Sequence, residues 1–298
     1  MEKSKRLLGF LLSLPGIFWL TLFFLIPSTI IILYSFMTPG PYGGAYLPFT
    51  LKYYHMMIIN KGFWIIFLRT VIIAVISTGI CLAISLPVAY YIATSKHKNF
   101  LLSLVIIPFW TNFLVRIFGW LVILGNNGLI NRVLLYLGVV DKPLSLMYNQ
   151  WSVILVIVYM YLPYMIFPLY SSIEKFDFQL LEAAMDLGAS RLRAIFNILL
   201  PSIKGGISAG IILVFIPALG SYAIPDLVGG KDGAMLGNLI ARQLTAARNW
   251  PLSSAISIIF LLISTVGLLI YFRLETAQHK KNKAIYEDYM KEETSKVE

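Results

Sequence analysis

The chain has 298 residues, 58% of them hydrophobic and 13% charged, with a mean hydropathy of +0.79 and a net charge of +10. A soluble globular domain carries about 25% charged residues, so this composition cannot cover a folded surface in water. It excludes an ordinary soluble enzyme, a disordered chain and a secreted disulfide scaffold. One cysteine, Cys81, and three scattered histidines, His55, His97 and His279, supply neither an intrachain disulfide nor a ligand-like spacing for a metal.

A helix needs roughly 20 mostly apolar residues to cross a bilayer, and six stretches of the chain qualify. The first, 7–36, is too long for one upright span. Pro15 is expected to divide it into a short interfacial piece, 7–14, and a spanning piece that contains Pro27. A cleaved signal peptide is the rival reading, because Lys3, Lys5 and Arg6 precede the run. The apolar character outlasts the 7–15 residues of a signal's core, which favours an uncleaved anchor. The remaining runs are 63–94, 100–124, 151–170, 203–228 and 252–272. Alternating polar and apolar strands are lacking, so the pattern does not support a β-barrel.

Lys and Arg set the expected orientation. They gather at the N-terminus, at Lys96 and Lys98, at Lys175, Arg191, Arg193 and Lys204, and along the C-terminal end from Arg273. Fewer lie on the alternate side. Both termini are therefore expected in the cytoplasm, and the positive charge is read as membrane orientation, with no nucleic-acid partner. Trp64, Trp120, Trp151 and Trp250 fall at expected outer helix ends. The outer loops, 37–62, 125–150 and 229–251, are each too long for a tight turn; each is either a plain connection or a surface for an external partner. The tail 274–298 mixes both charges and reads as a solvated cytoplasmic segment.

The loop 174–201 is the informative one. Asp177 is suited to cap a helix that runs through Leu187. Gly188 suits the left-handed position after it. Ser190 can cap a second short helix, which Pro201 is expected to end. Phe178, Leu181, Ala184 and Met185 form one apolar stripe; Ala183 and Ala184 permit close approach of another backbone; Glu182 and Asp186 add an acidic edge. By helix chemistry alone this is either a knob for a groove on a cytoplasmic protein or a helix lying on lipid headgroups.

These residues carry a family resemblance. Glu182-Ala183-Ala184, then Gly188, then Ile198 and Leu200-Pro201 match the EAA motif of ABC-importer permeases at every named position. The resemblance implies an all-α integral membrane protein with six transmembrane helices, the type I ABC-importer permease (MetI-like) fold, over residues 1–273. It implies that Glu182, Ala183, Ala184 and Gly188 couple the chain to a cytoplasmic ATPase dimer, whose closure switches the membrane path between outward and inward access; Asp186, on the same acidic edge, is counted with them. A sister permease completing a heterodimer and an external substrate-binding protein are implied too. The stretches Ile107-Pro-Phe-Trp-Thr-Asn-Phe-Leu-Val-Arg-Ile-Phe-Gly119, Pro168-Leu-Tyr-Ser-Ser-Ile-Glu-Lys175 and Asp226-Leu-Val-Gly-Gly230 are similar to the B subunits of spermidine/putrescine permeases. Polyamine transport across a bacterial inner membrane is what that similarity implies.

A polyamine is a flexible chain of ammonium groups. Carboxylates and aromatic faces suit it, each cation–π contact contributing about 0.5–2 kcal/mol. Asp226 is the one acid clearly inside an apolar run, and with Tyr222, Trp110, Tyr159 and Tyr164 it is a candidate lining. Alternatively Asp226 caps a broken helix or pairs with Arg116. Arg116 either lines the path or snorkels outward, its place near the outer end favouring the second. Arg69 reads as structural.

No G-x-x-x-x-G-K-[ST] occurs, so ATP and magnesium are expected on the partner ATPase and no cofactor on this chain. Gly206-Ile-Ser-Ala-Gly210 matches the G-x-S-x-G of serine hydrolases, which would require a strand-to-helix elbow at Ser208. The same residues form G-x-x-x-G, a close helix-packing surface. The chain is expected to be a non-catalytic transport subunit.

Overall fold

The computed structural model describes residues 13–269 and Arg273. Most of the expected interfacial piece, the basic N-terminus and the tail 274–298 lie outside the described residues. In chain order the elements are α1 (Ser13–Ser35), a two-residue hairpin of β1 (Thr38–Pro39) and β2 (Ala45–Tyr46), and α2 (Lys52–Ile59). Next come α3 (Lys61–Thr94), α4 (Lys98–Ile106), α5 (Phe113–Leu124), α6 (Leu129–Tyr136) and α7 (Gln150–Glu174). The last are α8 (Gln179–Asp186), α9 (Arg191–Ser202), α10 (Lys204–Leu219), α11 (Leu236–Thr245) and α12 (Trp250–Leu269). Among the described residues five helical segments are long and apolar enough to span a membrane, or six with the bent pair α9–α10 taken as one span.

The chain divides into two compact units, residues 1–59 with 243–298, and residues 60–242. In the first unit, α1 exposes Phe18, Trp19, Phe23 and Phe24, as a lipid-facing helix should. A π turn, Thr21–Leu25, immediately precedes Pro27; the widened turn gives the proline ring room against the preceding backbone. The C-terminal end of α1 is tied by the Tyr54 hydroxyl, which donates to Ser35 Oγ at 2.6 Å. Near the start of α12, Trp250 lies 6.0 Å from the Tyr34 ring.

The second unit is built around α3, α7 and α10, which pack on one another. Along α3 the residues Ala74, Ser77, Cys81, Ser85 and Ala89 are all buried. Their small side chains bring α7 close enough for Cys81 Sγ to reach the Val158 carbonyl at 3.7 Å and Ser85 Oγ the Leu162 carbonyl at 3.4 Å. Both partners advance by one helical turn together, so α3 and α7 run parallel. The α10 helix runs antiparallel to α7. Its Gly206 lies against Pro168 and Ser172, and Gly210 against Met165. The G-x-x-x-G reading is therefore the one the fold uses: small residues let two backbones approach where apolar burial drives nothing against lipid.

Two expected spans are divided differently. The run 100–124 is broken at Thr111 and Asn112. Pro108 sits in a 3-10 turn, Ile107–Trp110, Thr111 Oγ1 donates to the Pro108 carbonyl at 2.7 Å, and Asn112 Oδ1 accepts the Leu114 N–H at 2.8 Å to start α5. The span-length segment is then Phe113–Tyr136. The run 203–228 is helical to Leu219, breaks at 220–222 and resumes from Ala223 into the π turn Pro225–Gly229; its first part joins α9 at a 72° bend.

Candidate functional site

The loop between α7 and α10 folds as helix, glycine turn, helix. Asp177 Oδ1 accepts the Gln179 N–H at 3.0 Å and opens α8. At the other end Gly188 takes φ +89°, its N–H donates to the Met185 carbonyl at 2.9 Å, and the Ala189 N–H donates to the Ala184 carbonyl at 3.0 Å. This pair of bonds is the Schellman closure, which only a residue free to enter the left-handed region makes without strain. Ser190 Oγ accepts the Arg193 N–H at 3.4 Å and opens α9. Pro201 does not end α9. A π turn, Ile195–Leu199, accommodates it, and the chain bends at Ile203.

Of the apolar stripe on α8, Leu181 is buried, while Phe178 and Ala184 are half-buried. Glu182, Ala183, Asp186 and Gly188 are exposed, and Leu187 at the turn is 89% exposed. The elbow thus presents an acidic edge, small residues and an apolar tip outward. Beneath it lies a cavity of about 380 Å³, bordered by Tyr90, Phe178, Leu181, Glu182, Met185 and Arg191. Tyr90 was not singled out from the sequence. It stands on α3, remote in sequence from the loop, and only packing joins the two. The ring of Tyr90 meets Phe178 edge-on at 6.1 Å, and its hydroxyl accepts from Arg191 Nη2 at 3.4 Å.

The expected path residues fall into separate groups. Asp226 lies in a π turn, Pro225–Gly229, one turn beyond Tyr222, and its Oδ1 accepts from Arg242 Nε at 3.0 Å and Nη2 at 2.7 Å. Both members of this pair are partly exposed. Arg242 belongs to α11, inside what the sequence showed only as a loop; the signal was the apolar spacing of Leu236, Leu239 and Ile240 with a basic residue following. Arg116 has a different partner from the one considered for it. Its guanidinium carbon lies 4.8 Å over the Phe109 ring, Phe109 meets Tyr164 edge-on at 5.2 Å, and Nε is buried without a hydrogen bond. Tyr159 packs on Trp120 at 5.3 Å. Trp110 is 86% exposed, and Tyr222 is also exposed.

The turn that holds Asp226 is anchored by one backbone bond, and the segment after it by two side chains. The Tyr148 N–H donates to the Val228 carbonyl at 2.8 Å, Thr70 Oγ1 accepts the Leu236 N–H at 2.9 Å, and Asn238 Oδ1 accepts the Met235 N–H at 2.7 Å. Arg69 Nη1 donates to the Lys231 carbonyl at 2.9 Å, which gives that arginine its structural role. Ser208 lies in the interior of α10, with helix on both sides. No strand-to-helix elbow forms there, and the hydrolase geometry is missing.

Membrane-length helices with a solvent-exposed helix–glycine–helix elbow between α7 and α10 fit a membrane transport component. Residues 82–280 match the family of binding-protein-dependent transport system inner membrane components, and the chain belongs to that family. It is 40% identical over 265 residues to the spermidine/putrescine transport system permease protein PotB of Escherichia coli (strain K12), covering 88% of this chain and 96% of the relative. It is 37% identical to the protein of the same name from Haemophilus influenzae, covering 88% and 92%. The fold matches a chain of a bacterial alginate ABC transporter, solved in complex with an alginate pentasaccharide-bound periplasmic protein, with a TM-score of 0.68 at 17% identity over 90% of this chain and 94% of that one. The type I ABC-importer permease fold expected from the EAA motif is the fold observed.

Proposed function

We propose that this chain is a polyamine-importing permease subunit of an ATP-driven importer in a bacterial inner membrane, with both termini cytoplasmic. The observation that carries the substrate class is the 40% identity to a spermidine/putrescine permease over 88% of the chain. The elbow of α8 and α9 is the surface for a cytoplasmic ATPase dimer, which holds ATP and magnesium. A sister permease completes the membrane path as a heterodimer, and an external binding protein delivers the polyamine. Glu182, Ala183, Ala184, Asp186 and Gly188 form the coupling face: a rigid, acidic, small-residue knob that meets the ATPase without rearranging. Asp226 and Tyr222, one turn apart, are a carboxylate and an aromatic ring, the kinds of group an alkylammonium needs; on this reading a polyamine ammonium competes with Arg242 for the carboxylate. Trp110, Tyr159, Tyr164 and Arg116 belong to the same path in this reading, with Arg116 setting an opposing charge that limits how tightly a polycation is held.

The test is uptake of labelled spermidine and putrescine by the complete complex in proteoliposomes. Asp226→Asn is expected to lower uptake about fivefold, the upper end of what one partly exposed ion pair contributes, with the ATPase still bound. Glu182→Lys is expected to weaken ATPase association. Wild-type complex that imports a different solute and neither polyamine would overturn the substrate class. Unchanged uptake by Asp226→Asn would remove that residue from the path.

A further inference from the structure

We propose that Tyr90 is a positioning residue that carries movement of the coupling elbow to α3; the proposal rests on the elbow being the ATPase-docking surface. The elbow is joined to α7 and α10 by the chain itself. A push on α8 therefore reaches those two helices through backbone. It has no such route to α3, the third helix of the packed core, because the connection from Thr94 to Gln150 passes through α4, α5 and α6.

Tyr90 supplies the lateral connection. It stands near the C-terminal end of α3, one turn before Thr94. Phe178, just ahead of α8, meets the face-edge of its ring at 6.1 Å and is itself braced edge-on by Phe176 at 5.6 Å. Arg191, the first residue of α9, donates to its hydroxyl at 3.4 Å and lies 6.0 Å from its ring centre. The same side chain is thus held by both arms of the elbow, one on each side of the Gly188 turn. Displacement of either arm alters a contact with α3. The α3 helix also packs on α7 and α10 along its length, but the elbow itself borders an open cavity of about 380 Å³ shared with Tyr90, Phe178 and Arg191. Interiors transmit displacement where they are close-packed; Tyr90 is where both arms of the elbow touch α3 directly.

The consequence is specific to coupling. Truncating Tyr90 leaves the elbow's outward face intact, so the ATPase still docks and still hydrolyses ATP, but a smaller share of its strokes reorients α3. The experiment measures polyamine imported per ATP hydrolysed by the complete complex in proteoliposomes, for wild type, Tyr90→Ala, Tyr90→Phe and Arg191→Gln. Tyr90→Ala is expected to lower the transport-to-hydrolysis ratio about five- to tenfold, within the range of measured coupling between sites. Tyr90→Phe keeps the ring and is expected to restore the ratio to within about twofold of wild type, as is Arg191→Gln. A fall of uptake and hydrolysis in proportion in Tyr90→Ala, or an unchanged ratio, would overturn the proposal. A merely structural role lowers the amount of assembled complex and leaves the ratio of the surviving complex alone. The reading on which it rests fails separately: in that case Glu182→Lys leaves ATPase association unaffected.

Discussion

Replacing Gly206 by alanine tests the close approach of α10 and α7 directly, and the neighbouring glycine provides the control. A Cβ on Gly206 would lie on Ser172 Oγ and 2.7 Å from the Pro168 carbonyl oxygen, where ordinary contact begins at 3.4 Å. The Pro168 carbonyl is backbone of a helix buried on several sides, so it cannot rotate away. Relief requires α10 to withdraw by roughly 0.7 Å at that point, a cost of about 1–3 kcal/mol by analogy with overpacked cores. Gly205 has nothing within 4 Å of its Cβ position. Both substitutions gain the same helix propensity, up to about 1 kcal/mol, so the difference between them isolates packing. Thermal unfolding of the detergent-solubilised complex, followed by tryptophan fluorescence, is expected to place Gly206→Ala below wild type and Gly205→Ala at or above it. Uptake should follow the same order. Equal midpoints for the two variants would refute the claim that the G-x-x-x-G face is where these helices meet.

Gly188→Ala is expected to weaken ATPase binding about fivefold in a pull-down titration, because φ +89° costs a Cβ-bearing residue about 1–2 kcal/mol although the space around it is open. Gly188→Asn should lose less, since asparagine enters the left-handed region more readily. Asn131→Ala should destabilise the segment 125–149 locally by about 2–4 kcal/mol: the buried amide donates to the Gly125 and Leu144 carbonyls at 3.1 and 3.0 Å and accepts the Leu144 N–H at 2.8 Å. Hydrogen exchange of that segment, measured against α7 in the same sample, checks it.

The elbow was legible in the sequence because everything that shapes it is local. Asp177, Gly188 and Ser190 each act within three residues along the chain, so residue type and spacing suffice. The pairing of Gly206 and Gly210 with a neighbour was legible in kind, since two small residues one turn apart serve little else inside an apolar helix, but the neighbour was not. The partners of Asp226 and Arg116 were beyond reach for the same reason. A carboxylate and a guanidinium in apolar runs suggest each other by charge, yet Asp226 is held by Arg242 from α11 and Arg116 by the face of Phe109. Charge specifies that a partner is needed; only the path of the chain specifies which one arrives.

Proline was the least reliable marker, and the reason lies in its neighbours. Pro163 and Pro168 both sit inside an unbroken α7, and Pro87 inside α3. Pro108 lies at a true interruption. The residues after Pro163 are Tyr164, Met165, Ile166 and Phe167, none of which competes for backbone hydrogen bonds, so the helix resumes on the far side of the ring. After Pro108 come Thr111 and Asn112, whose side chains take over a freed carbonyl and a free N–H at 2.7 and 2.8 Å. A proline removes one bond from a helix; at Pro108 two short polar side chains close on the groups released, whereas Ser171 and Ser172 after Pro168 remain within α7, so a polar neighbour ends the helix only where it makes such a bond. On that argument Thr111 and Asn112, rather than Pro108, make the break. Replacing both by alanine should join α4 to α5 as one helix, whereas Pro108→Ala alone should leave the interruption in place, a difference readable from the hydrogen-exchange protection of the Leu114 amide.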